Sequence, residues 1–178
     1  MAADEIILGA GELYLKEFTG TDVPADAEIE TDENNVGHTQ GGASFEYQPT
    51  PYEVKNSYGK TVKRVVTEES CVFKSGLLTW DLTKVQLLTT ASLATDNTTN
   101  TRKLTFGGNN PLKNILVRFV HKKDNGMKIR LTMIGNAGNG FTMSFTGEQE
   151  TVIDAEITAI EYIKNFLAEI SEEITAGA

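Results

Sequence analysis

Residues 69–93, ESCVFKSGLLTWDLTKVQLLTTASL, read as a strand that turns into a short helix. Cys71, Phe73 and Ser75 alternate with Val72 and Lys74, a period of two, and Leu77, Leu78 and Trp80 carry the apolar surface on toward Asp81. The period then changes. Thr79 or Asp81 supplies a side-chain acceptor for the free amides of a first helical turn, and Leu82, Val85, Leu88 and Ala91 recur at helical spacing, so a helix is expected over about 81–92. A helix this short needs a sheet to cover its apolar stripe. Phe73, Trp80 and Leu82 are therefore expected to anchor the core where helix and sheet meet, a reading of Trp80 preferred over ligand stacking.

Outward from that junction, the chain reads as strands. Glu5–Leu8 and Glu12–Phe18 form two segments around Gly9 and Gly11, with Leu13 and Leu15 on one face and Tyr14 on the other. The GAG between them is not a dinucleotide loop, because the third glycine is missing and a strand pattern follows where a helix is needed. Thr19–Asn35, polar and rich in acids from Asp22 to Glu33, reads as a solvated surface loop. Gly41 and Gly42 are expected to turn the chain into a strand face of Ala43, Phe45 and Tyr47. Residues 95–101 read as a loop and Lys103–Phe106 as a short strand. Residues 114–122 and 128–134 form a hairpin closed by Lys123, Asp124, Asn125 and Gly126. Phe141, Met143 and Phe145 alternate into a further strand. Over Thr151–Ala159, Ile153, Ala155, Ile157 and Ala159 face one way and Val152, Asp154, Glu156 and Thr158 the other. After Ile160 the residues alone leave two readings open: helical spacing of Ile163, Leu167, Ile170 and Ile174, or two strands joined by a turn at Lys164 and Asn165.

One pair of segments stands apart. Tyr47–Lys55 and Lys60–Glu69 are both extended, and Asn56, Ser57, Tyr58 and Gly59 are good turn formers. Pro49 and Pro51 exclude a central strand, so this hairpin lies at an edge or projects. Tyr52 and Tyr58 have no local core to enter, which suits an arm over about 47–69 that packs on another subunit.

Composition narrows the function. The 178 residues, 39% hydrophobic, fit one domain, 1–178. No run approaches the roughly 20 apolar residues of a membrane span. The acidic start is read as a mature N-terminus and the protein as cytosolic in origin. Sixteen basic against 25 acidic residues, net −9, argue against holding nucleic acid through its phosphates. Cys71 reads as a small buried hydrophobe, and His38 and His121 belong to no zinc-ligand pattern. Carboxylates pair with no nucleophile or metal set, so neither enzymatic activity nor a cofactor is expected. A structural, assembling protein fits this pattern, and a soluble β-sandwich module binding a carbohydrate or peptide through Gly/Asn-rich loops fits it next best.

IILGAGELYLKEF, NNVGHTQGGASFEY, VFKSGLLTWDL and VIDAEITA, in this order along the chain, together resemble the tail tube (major tail) proteins of long-tailed bacteriophages and of phage-derived tail-like particles. The resemblance implies a mainly β fold, a two-sheet sandwich or barrel with one flanking helix. It implies hexameric rings stacked into a hollow tube through which DNA passes without specific binding. The partners would be further copies of the chain and other tail proteins. The place would be the virion tail, after synthesis in the bacterial cytoplasm. On this resemblance SGLLTWDL is the strand-to-helix junction, and the arm with Pro49, Pro51, Tyr52 and Tyr58 is the ring-stacking hairpin. The Val152–Thr158 strand, with Asp154 and Glu156, lines the channel, and strands follow Ile160.

Overall fold

Period-two patterning dominates the sequence, and strands dominate the fold. In chain order the elements are β1 (Glu12–Glu17), α1 (Asp26–Ile29), β2 (Thr39–Lys55), β3 (Thr61–Leu77), α2 (Leu82–Leu87), β4 (Ser92–Asp96), β5 (Thr101–Thr105), β6 (Ile115–Lys122), β7 (Lys128–Asn136), β8 (Ile153–Ala159) and β9 (Ala168–Glu172). The structure, a computed structural model, describes residues 10–143, 145 and 147–174. The expected Glu5–Leu8 segment lies outside the described residues.

Among the described residues seven strands form one antiparallel sheet in the order β1-β6-β7-β8-β3-β2, with β9 also on β7, and β4 and β5 form a separate hairpin. The large sheet folds over on itself. β3 and β6 are three strand positions apart, about 14 Å if the sheet were flat. Yet the rings of Phe73 and Phe119 approach to 6.2 Å. The halves therefore face each other, and Leu13, Leu15, Val117 and Met133 from one meet Phe73, Leu77, Ile153 and Ile157 from the other in a single core. The fold bends where β8 passes from β7 to β3. There Gly135 pairs with Ala159, and any side chain at 135 would run into the Thr158 carbonyl.

β6 and β7 are buried on both faces, and their second face is roofed by chain between the strands. Leu116, Val120 and Ile134 pack with Tyr14, Phe18 and Ile29, so the supposed solvated loop contributes α1 and a fully buried isoleucine. The opposed orientations expected of Leu13, Leu15 and Tyr14 hold.

Four local expectations need correction. Gly41 and Gly42 do not precede the strand; both take positive φ inside β2, where the register slips between Gln40 and Ala43, so they form a bulge. α2 stops at Leu87, because Thr89 folds its hydroxyl back onto the Gln86 carbonyl and the chain leaves to form β4. Asp81 caps α2 by accepting the Thr83 amide at 2.9 Å, and Val85 and Leu88 are buried. Residues 95–101 include the tip of the β4–β5 hairpin, and its first strand was not anticipated. Met143 makes only an isolated bridge to Ile153 in place of the expected strand.

Trp80 is also corrected. Its side chain is 55% exposed, while Phe73 is buried and Leu82 is half-buried. The chain turns at Leu78 and Thr79, held by amide-to-carbonyl and amide-to-hydroxyl bonds between these residues and His38, and this sends Trp80 outward. The C-terminal segment resolves as strand. Ile163 bridges Phe166 across a turn in which Asn165 takes φ 61°, and β9 then pairs along β7.

Candidate assembly surfaces

β2 and β3 outrun the rest of the sheet. β8 accompanies β3 only from Leu77 to Val72, whereas β2 and β3 remain paired out to Lys55 and Thr61. What remains is a two-stranded arm reaching about 30 Å beyond the body. It matches the expected boundaries of 47–69. β2 is an edge strand, so Pro49 and Pro51 interrupt no central ladder, and the register shifts between Thr50 and Pro51. At the tip the Asn56 side chain accepts the amides of Tyr58 and Lys60, both at 3.0 Å, closing the turn locally.

The cross-strand register sorts the arm into two faces. Pro51 lies opposite Val66, and Glu53 opposite Arg64, on one; Tyr52 lies opposite Val65, and Val54 opposite Lys63, on the other. Pro51 and Tyr52 thus point apart, and Tyr58 sits in the turn. Tyr52 is 63% exposed and Tyr58 87%, with Val62, Val65 and Val66 exposed as well. An isolated two-stranded ribbon is marginal in water, and this one leaves its apolar side chains uncovered. Ion pairing of Glu53 with Arg64 at 2.7 Å and a hydrogen bond from the Tyr47 hydroxyl to Glu69 at 2.6 Å fix its shape.

A groove of about 540 Å³ separates the arm base, at Phe45, Tyr47 and Cys71, from Phe166, Leu167 and Ile170 beside β9. The Cys71 thiol is buried, and burial with the nearby Glu69 charge pushes its pKa up, so it stays protonated and unreactive.

β8 alternates as expected. Ile153, Ala155 and Ile157 enter the core, and Asp154 and Glu156 point to the opposite side. Glu156 is not isolated. It stands across from Lys74 with a 3.0 Å contact and accepts from Asn139, and these hydrogen bonds, Lys74 first, hold its carboxyl below the usual range. Asp154 faces Gly76 and has no such cross-strand base.

Sequence reasoning missed an ion cluster beneath α1. Arg118, on the roofed face of β6, reaches Asp26 at 2.6 Å and Glu30 at 3.2 Å; Arg130 reaches Glu30 at 2.6 Å and Glu173 at 2.6 Å; Lys128 reaches Glu30 at 2.8 Å. One buried nitrogen of Arg118, Nε, has no partner among the described residues. A charge inside ILVRFV, an otherwise apolar strand, was the available signal that acids elsewhere must cover it.

Among the described residues no group of three or more His, Cys, Asp or Glu is arranged to hold a metal ion. His121 instead bonds the Ala10 carbonyl at 3.0 Å. No helix among them is long and apolar enough to cross a membrane. No protein-family model matches this sequence, and no curated protein matches it.

Proposed function

We propose that this chain is a self-assembling structural subunit of a phage or phage-like tail tube, forming hexameric rings that stack into a conduit for DNA. The observation that carries this reading is the arm: a long hairpin whose tyrosines and valines stand exposed, with no core to enter among the described residues. Open strand edges on β2 and β9 support it, since pairing between neighbours in a closed ring removes edges that would otherwise aggregate. Its partners would be further copies of itself and other tail proteins, in the virion tail after synthesis in the host cytoplasm. Asp154 and Glu156 would line the channel, where acid repels phosphate and keeps the duplex from sticking. Negative-stain microscopy and sedimentation of the purified protein test the proposal. Rings or tubes are expected, and a strict monomer across a wide concentration range would overturn it.

A second reading, a β-sandwich module binding a carbohydrate or peptide, is favoured by one feature, the exposed aromatic pair of Trp80 and Phe145. Saturable binding of an oligosaccharide or peptide by a monomer, lost in Trp80→Ala, would establish it in place of the first.

A further inference from the structure

The tip of the arm has a charge opposite to the rest of the chain. Residues 53–64 carry Lys55, Lys60, Lys63 and Arg64 against the single acid Glu53, in a protein of net charge −9. All four bases are exposed, and Arg64 alone of them is engaged by Glu53 across the hairpin. Tyr58 and Val62 stand among them, both exposed, Tyr58 the more fully.

A surface of the complementary kind lies at the other end of the sheet. Trp80 and Phe145 are both exposed, with ring centroids 6.4 Å apart at a tilted angle of 56°. The segment that carries Phe145 continues into Glu148 and Glu150, both exposed, and the Glu150 carboxylate accepts from Gln40 where β2 begins. An aromatic pair with carboxylates three and five residues further along the chain from Phe145 suits a partner that brings a ring together with ammonium groups. Tyr58 would stack on the rings, and lysines would lie over a ring face or against the acids.

The tip cannot reach this corner on its own chain. β3 runs unbroken from the tip to Leu77, which places the two ends about 50 Å apart. We propose that the basic tip of the arm docks onto the corner formed by Trp80, Phe145, Glu148 and Glu150 in the next copy of this chain. The proposal rests on the reading of the arm as an assembly element and names the surface that receives it. A contact between opposite ends of like subunits is heterologous, and where its rotation does not close a ring it propagates as an open stack. Charge opposition then sets its direction, since tip against tip and corner against corner both repel.

Three variants test the proposal by sedimentation and microscopy: K60E with K63E on the tip, E148K with E150K at the corner, and all four together. The substituted side chains are exposed, and circular dichroism confirms the fold of each. Each pair alone is expected to raise the concentration needed for long assemblies by about tenfold or more at low salt, and the four together to restore most of that loss. Trp80→Ala is expected to weaken stacking while single rings persist, and added salt to weaken it in the unaltered protein. If the corner pair stacks like the unaltered protein, or the fourfold variant is no better than the tip pair, the corner is not the receptor, although the tube stands. If the unaltered protein never assembles, the tube reading falls first and the receptor with it. If the tip pair assembles normally but loses retention of a DNA duplex at low salt, the tip is a phosphate contact and the proposal is wrong.

Discussion

Lys74 and Glu156 stand directly opposite each other on β3 and β8, and their side chains meet at 3.0 Å on the outward face of the sheet. Half of the acidic pair proposed to line a channel is therefore offset by its neighbour, which leaves Asp154 as the uncompensated acid of the two. Glu156→Lys would set two lysines across from each other and weaken that strand pair itself. Asp154→Lys, opposite Gly76, avoids that conflict. Tubes built wholly of the Asp154→Lys subunit are expected to form normally but to slow or block DNA release, and adding Glu156→Lys to deepen the effect. Normal delivery through tubes of the doubly substituted subunit would remove β8 from the channel wall.

The arm can be shortened at a matched position. Thr50 pairs with Glu68, while Pro51 pairs with Val66 across the register shift, so removing 51–66 and joining the ends by a short glycine-rich turn preserves every inner pair. The side chains removed are not in the core. Circular dichroism and melting are expected to stay near those of the full chain, and long tubes to vanish. Long tubes from the shortened protein would show that the arm does not join one ring to the next.

Phe73 and Trp80 make a contrast seven residues apart. Phe73→Ala opens a cavity in the central core and is expected to cost about 3–5 kcal/mol in urea unfolding. Trp80→Ala removes a half-solvated ring and is expected to stay within about 1 kcal/mol. A Trp80 loss as large as that of Phe73 would mean that the ring supports the body of the fold.

What could be read in advance follows from how far apart the interacting residues lie in the chain. Alternation is local, so β1, β6, β7 and β8 were legible, with the facing of β1 and β8, as was the arm, whose prolines and turn residues are its own. The expected helix placed Val85 and Leu88 correctly because their spacing is a property of α2 itself. Trp80 failed because the direction of the chain after β3 depends on His38. The helical spacing after Ile160 misleads because Ile170 and Ile174 are both exposed, so their period reports no buried face. The acids between Asp22 and Glu33 looked solvated because the partners of Asp26 and Glu30, Arg118, Lys128 and Arg130, come 92 to 100 residues later.

That ion cluster makes stability depend on acid. The Glu30 side chain is 9% exposed and meets three bases, so Glu30→Ala would leave Arg118, at 4%, without its inner carboxylate. Breaking a buried pair from one side costs about 3–5 kcal/mol, and α1 with its Ile29 would lose its clamp. The direction with pH follows from the carboxylates. Asp26 is held below the usual range chiefly by its hydrogen bond from Arg118. Burial pushes Glu30 up, but the hydrogen bonds from Lys128 and Arg130 outweigh it and leave it lowered; the bond from Arg130 does the same for Glu173. Groups depressed by folding add stability that is complete above their unfolded values, near pH 4, and is lost as pH falls through the folded values below that. Unfolding at a series of pH values is therefore expected to show a steep loss of stability below about pH 4 in the unaltered protein and a shallower one in Glu30→Gln, which starts lower. Equal slopes in the two proteins would mean that the cluster contributes nothing specific, and that the acid response comes from carboxylates spread over the surface.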